Sequence, residues 1–105
     1  MNDSEFNALA DAALKQIEAW LETRDADLDF EMVAAGVLEI EFADGGKIVV
    51  NRHGAAKEMW VAAKSGGFHF RWGGDAWRDT RDNSELMAAL SKLVGAQAGQ
   101  SNPPV

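Results

Sequence analysis

The sequence of 105 residues contains no cysteine. That excludes disulfides, thiolate nucleophiles, and zinc or iron–sulfur centres held by Cys ligands. It also fits a reducing compartment. No segment approaches the roughly 20 apolar residues that a membrane-spanning helix needs. The opening MNDSEFN is acidic and polar, without the basic start and apolar run of a signal peptide. A cytoplasmic location is therefore expected. No Gly-rich phosphate loop precedes a helix, and Ser4, Ser65, Ser84, Ser91 and Ser101 stand in no nucleophile motif. There is no internal repeat and no linker. Basic patches are lacking as well, which argues against direct binding to nucleic acid or to anionic membrane.

What the chain does have is acid, and the acid is concentrated. The net charge is −7. Residues 1–31 hold nine Asp/Glu against two Lys/Arg, whereas residues 32–105 hold eight of each. The densest run is residues 18–31, EAWLETRDADLDFE, with Glu18, Glu22, Asp25, Asp27, Asp29 and Glu31 opposed only by Arg24. Charge serving solubility alone could be spread anywhere. Charge this localised makes a directional field, which bears on partners rather than on fold.

Hydrophobic spacing supplies the fold. Phe6, Leu9, Ala10, Ala13, Leu14, Ile17, Trp20 and Leu21 recur at threes and fours, predicting an amphipathic helix over 4–23 with Asp3 or Ser4 as N-cap. Glu22 and Asp25 then fall at the negative end of the helix dipole, a cost of a few tenths of a kcal/mol each and up to ~1 at low salt. Over 28–33 the period changes to two, with Leu28, Phe30 and Met32 alternating against Asp27, Asp29 and Glu31. These three carboxylates share one face about 7 Å apart. Each neighbouring pair repels by ~0.6 kcal/mol in bulk water, and several-fold more at an effective dielectric of ~20.

Further strands are predicted over 37–42, 47–52, 58–63, 68–72 and around Trp77, separated by turn signals such as Asp44-Gly45-Gly46 and Ser65-Gly66-Gly67. Alternation turns Glu58, Trp60 and Ala62 outward, so Trp60 is expected on the open sheet face as a contact residue, while Trp20, Trp72 and Trp77 belong to the core. Asn83-Ser84-Glu85 begins a second helix whose stripe is Leu86, Met87, Leu90, Leu93 and Val94. Helix, strands, helix predicts an α+β two-layer sandwich, two terminal helices on one face of an antiparallel sheet of about six strands. The domain is expected to span 1–95, with 96–105 as a flexible tail.

Asp25, Asp27 and Asp29 have the spacing of a calcium-loop start, but the sixth position is Phe30 instead of Gly and the twelfth is Gly36 instead of Glu. An EF-hand is excluded. What remains is a row of hard oxygen ligands suited to Fe³⁺, Fe²⁺, Mn²⁺, Ca²⁺ or Mg²⁺ at weak, multiple, exposed sites. A solvated acidic face is the bland alternative. His53 and His69 have no second His at i+2 or i+4, so neither marks a metal site or general base.

Read in order, MNDSEF with Leu9-Ala10-Asp11, the acidic DADLDFE, the hairpin FADGGKIVVNR, EMWVAAKSGGFHF around Trp60 and GDAWRDTR make the chain similar to the bacterial frataxin (CyaY) family. The resemblance runs from residue 1 to about residue 99. It implies a two-helix sandwich, weak binding of Fe²⁺ and Fe³⁺ at an acidic ridge, and docking on the cysteine desulfurase and scaffold protein of iron–sulfur cluster assembly. Carried over by position, the metal ridge is Glu18, Glu22, Asp25, Asp27, Asp29 and Glu31, with Asp3 and Asp11 peripheral. Partner contact falls on Glu18, Glu22 and Asp25, and on Asn51 and Trp60 of the sheet face. The resemblance thus implies an iron-binding regulator without a tightly bound organic cofactor, and not an enzyme; a monomer is the expectation for this size with a charged ridge. An iron carrier or weak ferroxidase using the same carboxylates is the alternative. The chain departs from the family pattern at Asn7, Ala19, Thr23, Arg24 and His53, which thins the ridge.

Overall fold

The computed structural model describes residues 1–24 and 28–99. The first element is α1 (Asp3–Glu22). Its stripe of Phe6, Ala10, Ala13, Leu14, Ile17 and Leu21 is buried as the spacing predicts. The cap lies one residue earlier than expected. Asn2, not Asp3 or Ser4, accepts from the Glu5 N–H at 2.8 Å, and Glu5 Oε1 in return accepts from the Asn2 N–H at 3.1 Å. This reciprocal capping box satisfies two donors that the helix start leaves free.

Six antiparallel strands follow in simple meander order: β1 (Leu28–Ala34), β2 (Val37–Phe42), β3 (Lys47–His53), β4 (Glu58–Ala63), β5 (Gly66–Trp72) and β6 (Trp77–Asp79). The β1–β2 turn needs Gly36, whose φ is +76°; an added Cβ would lie 2.6 Å from the Arg52 Nε. One face of the sheet supplies Leu38, Ile40, Phe42, Ile48, Val50, Met59, Val61, Phe70 and Trp77 to the core. Phe6 meets Trp77 edge-on at 5.9 Å, and Trp72 meets Trp77 at 5.5 Å. Trp20 and Trp72 are half-buried against this core.

The second helix, α2 (Leu86–Gly99), buries Leu86, Leu90 and Val94. Glu85 caps it, its carboxylate accepting from the Met87 and Ala88 N–H groups. The boundary expected at residue 95 lies four residues too early. Ala98 still packs against the core, and Gln97 Oε1 accepts from the Lys64 N–H at 3.0 Å, which ties the last turn to the β4–β5 turn. Residues 100–105 of the expected tail lie outside the described residues. The result is the expected two-layer α+β sandwich: two helices on one face of a six-stranded antiparallel sheet.

Three sequence expectations shift. Met32, expected inward, is 38% exposed, because β1 is an edge strand with a register irregularity between Met32 and Ala34 that leaves Val33 without a β2 partner. Glu58, expected outward in solvent, is only 6% exposed. Trp60 is on the open face but half-buried there.

Candidate functional site

The acidic run occupies the end of α1 and the start of the sheet. Glu18 is half-buried and Glu22 exposed on α1. The last turn of the helix holds no base. The Thr23 hydroxyl donates to the Trp20 carbonyl at 2.6 Å, satisfying an acceptor that helix ends leave open. Asp25 and Asp27 lie outside the described residues. On β1, Asp29 and Glu31 are exposed and alternate with half-buried Leu28 and Phe30, as the two-residue period predicts.

The hairpin register adds two acids that the sequence reading did not assign to the ridge. Asp29 lies directly opposite Glu41, and Glu31 opposite Glu39. Paired strands turn opposed residues to the same face, so four carboxylates share the outer side of β1 and β2, and like charges directly opposed are destabilising. The signal was available. The alternation of Glu39 and Glu41 against Leu38, Ile40 and Phe42 gives the face, and the short turn before Val37 gives the register. Lys47 offsets part of this charge, pairing with Glu39 at 3.4 Å and standing opposite Glu41.

Ion pairing divides the candidate ligands. Asp3 is held by the Lys57 Nζ at 3.0 Å and Asp11 by the Arg52 guanidinium at 2.6 Å, so both peripheral acids tie α1 to the sheet region. Glu18, Glu22, Asp29 and Glu31 form no ion pair among the described residues. Arg24, inside the acidic run, lies over the Trp20 ring at 5.1 Å. No three carboxylate or imidazole groups among the described residues converge on a position that could chelate one ion. The described ligand set is therefore suited to a hydrated hard cation held by one or two carboxylates at a time.

The second candidate region is the centre of the open face. Asn51, Trp60 and His69 are mutually opposite on β3, β4 and β5. The Trp60 indole is sandwiched between two imidazoles, His53 at 3.7 Å and His69 at 4.5 Å, each within 8° of parallel. Its Nε1–H donates to Glu58 Oε1 at 2.9 Å, and Arg71 donates to Glu58 Oε2 at 2.7 Å. His69 Nδ1 lies 3.6 Å from the same carboxylate. The indole hydrogen bond holds the Glu58 carboxyl below its ordinary 4.5; burial pushes the other way, and Arg71 adds to the lowering. Spacing along the sequence hid this cluster, because the two histidines are far apart in the chain and meet only through three strands. Trp60 is thus held on both ring faces and at its indole N–H.

Residues 1–100 match the Frataxin-like domain. The chain belongs to the frataxin-like (CyaY) family. Among its relatives is the iron-sulfur cluster assembly protein CyaY of Dechloromonas aromatica (strain RCB), 67% identical over 101 residues, which are 96% of this chain and 96% of that protein. Frataxin from Psychromonas ingrahamii superposes with a TM-score of 0.86 at 33% identity, covering 93% of this chain and 92% of that one. Trimeric frataxin from the yeast Saccharomyces cerevisiae, complexed with ferrous iron, superposes with a TM-score of 0.72 at 26% identity, over 86% and 85% of the two chains. Within this frataxin-like fold, Thr23 and His53 have a local role. Thr23 satisfies the end of α1, and His53 closes one side of the Trp60 stack.

Proposed function

We propose that this chain is a regulator of iron–sulfur cluster assembly that binds Fe²⁺ and Fe³⁺ weakly along the ridge. It docks on the cysteine desulfurase and its scaffold protein through Glu18, Glu22 and Asp25, with Asn51 and Trp60 on the adjoining sheet face. Support comes from relatives that carry the name iron-sulfur cluster assembly protein and from a structural neighbour complexed with ferrous iron. The observation that carries the reading is the division of charge. Asp3 and Asp11 are neutralised by fold partners, while Glu18, Glu22, Asp29 and Glu31 stand without ion pairs among the described residues. Carboxylates left this way keep their field for an incoming cation or basic surface. We read the protein as a cytoplasmic monomer and as a binding protein rather than an enzyme. The described carboxylates line an open edge, whereas di-iron oxidation chemistry uses carboxylates and histidines closing around a buried pair of metals.

Calorimetry with the cysteine desulfurase tests this. Reversing Glu18, Glu22 and Asp29 to Lys is expected to weaken binding by about tenfold or more at low salt, with most of the loss in association rate. The salt dependence of binding should shrink in parallel. Unchanged affinity in the triple variant would remove the ridge as the docking face.

A further inference from the structure

The two edges of the sheet are finished differently. β6 has three residues, and its Arg78 is bridged to Glu85 while the Asp79 N–H donates to the Ser84 carbonyl at 2.8 Å. The approach to α2 therefore closes that edge. β1 has seven residues and pairs only with β2 among the described residues. An open edge of this length presents a row of backbone donors and acceptors, a template for another strand.

The side chains on that edge select what could use it. A second copy of the chain would bring Asp29 and Glu31 against its own acidic edge, so like charge opposes self-pairing. A basic strand would meet the same carboxylates favourably. The edge is also apolar at one end. Apart from Met1, the large hydrophobic side chains that are exposed among the described residues are Met32 at 38% and Val33 at 47%, both on β1. Met32 borders a groove of about 340 Å³ shared with Leu14 and Glu18 of α1, Gly36 and Arg52. Because β1 alternates from Leu28 to Met32, ahead of its register irregularity, a strand laid beside that stretch alternates too. Positions beside Asp29 and Glu31 face carboxylates, and the intervening positions face Phe30, Met32 and the groove.

We propose that β1 accepts an extended segment of a partner protein as a seventh strand, with Lys or Arg alternating with aliphatic residues. Main-chain hydrogen bonds supply affinity, and the alternating side chains supply choice of partner. The proposal rests on the ridge being a docking face and adds the conformation and pattern of what docks. It also gives Met32 and Val33 a use as the apolar anchor inside a charged rim.

Two synthetic octapeptides of one composition test it, one alternating Lys and Val, the other with four Lys followed by four Val. Each is titrated into the ¹⁵N-labelled chain at low and high salt, with amide exchange measured at saturation. The alternating peptide is expected to bind at least about tenfold more tightly, the equivalent of one or two net ladder hydrogen bonds. It should also slow exchange at amides of residues 28–34. A version N-methylated along its pairing edge should lose that advantage. Equal, salt-sensitive affinity for the two isomers overturns strand addition and leaves the ridge reading intact. Absence of binding by both at low salt overturns the two together. Protection of β1 amides in a dimer of the chain alone would give the edge to a second copy and overturn the proposal.

Discussion

The centre and the edge of the open sheet face treat charge in opposite ways. At the centre, Glu58 is buried, and its two oxygens accept from Trp60 and Arg71 at 2.9 and 2.7 Å. At the edge, Asp29 and Glu31 face Glu41 and Glu39 across the β1–β2 ladder, with Lys47 the base that stands beside them. Both arrangements involve carboxylates on the outward phase of one face, with a charged residue opposite on the neighbouring strand. The first is satisfied within the fold and orients an aromatic ring. The second is left in excess and costs stability, which folding alone gives no reason to keep. A carboxylate contributes to architecture here when its oxygens have internal donors; where they do not, its charge is left for the docking we propose.

The largest expected effect comes from breaking the satisfied region. Glu58→Ala removes the acceptor of the Trp60 indole and the partner of Arg71, two hydrogen bonds to an ionised carboxylate, one from a neutral donor and one from a cation. Destabilisation of about 2–3 kcal/mol is expected in urea denaturation at pH 7. Trp60 fluorescence should broaden as the ring loses its fixed edge. A loss under about 0.5 kcal/mol, the usual range for surface substitutions, would show that the cluster is a surface ion pair and nothing more.

Acid sharpens the same contrast. The Glu58 carboxyl titrates below its ordinary 4.5 in the folded chain, chiefly through the Trp60 hydrogen bond. Above 4.5 it is ionised in both folded and unfolded states, so its full contribution is present. That contribution is lost as pH falls through the lowered folded value. The stability difference between the native chain and Glu58→Gln should therefore be constant from pH 7 to about 5 and close below 4.5. A difference that stays constant down to pH 3 would remove the proposed linkage.

Much of this was legible in the chain before any coordinates. The stripe from Phe6 to Leu21 gave α1 to within a residue at each end, and the Asp44-Gly45-Gly46 signal placed the β2–β3 hairpin. Local periodicity reports which face is buried, so the two-layer architecture followed. What it could not report was what faces the outward side. Glu58 falls on the outward phase of β4, yet the Trp60 ring beside it and Arg71 from β5 take its oxygens. The segment after residue 95 offers little to bury by its sequence, yet Gln97 and Ala98 gain tertiary contacts that carry α2 to Gly99. Of the ridge, the acids on α1 and β1 were readable as a charge run. The facing pair Glu39 and Glu41 needed the alternation of β2 to be combined with the register set by the turn, and the pairing of Asp3 and Asp11 with basic partners needed three dimensions.

Relieving the edge should have a smaller effect of opposite sign. Asp29→Asn and Glu31→Gln each remove one like-charge cross-strand pair, and each is expected to stabilise the chain by about 0.5 kcal/mol at low ionic strength. The gain should fade in high salt, because exposed charges are screened there. Calcium or magnesium added to the native chain should raise its melting temperature by the same relief, and do so less in the double variant. If neutralisation leaves the melting temperature unchanged at low salt, the facing carboxylates do not strain the edge.

The smallest expected effect tests whether pairing is what separates the acids held within the fold from those proposed to bind cations. Lys57 holds Asp3, a candidate ligand by position, at 3.0 Å. Lys57→Met breaks that pair while leaving an unbranched side chain at a backbone φ of 54°, so the local strain is unchanged. An exposed ion pair of this kind is worth about 0.5 kcal/mol or less, so stability should hardly move. Cation binding should move more. With Asp3 released, its amide and those of its neighbours should begin to shift in a Mg²⁺ titration that perturbs only the ridge in the native chain. No new shift at the start of α1 would mean that an unpaired carboxylate is insufficient. The ridge would then owe its cation binding to the facing acids of β1 and β2 acting together, and the contrast between edge and centre would rest on register rather than on pairing.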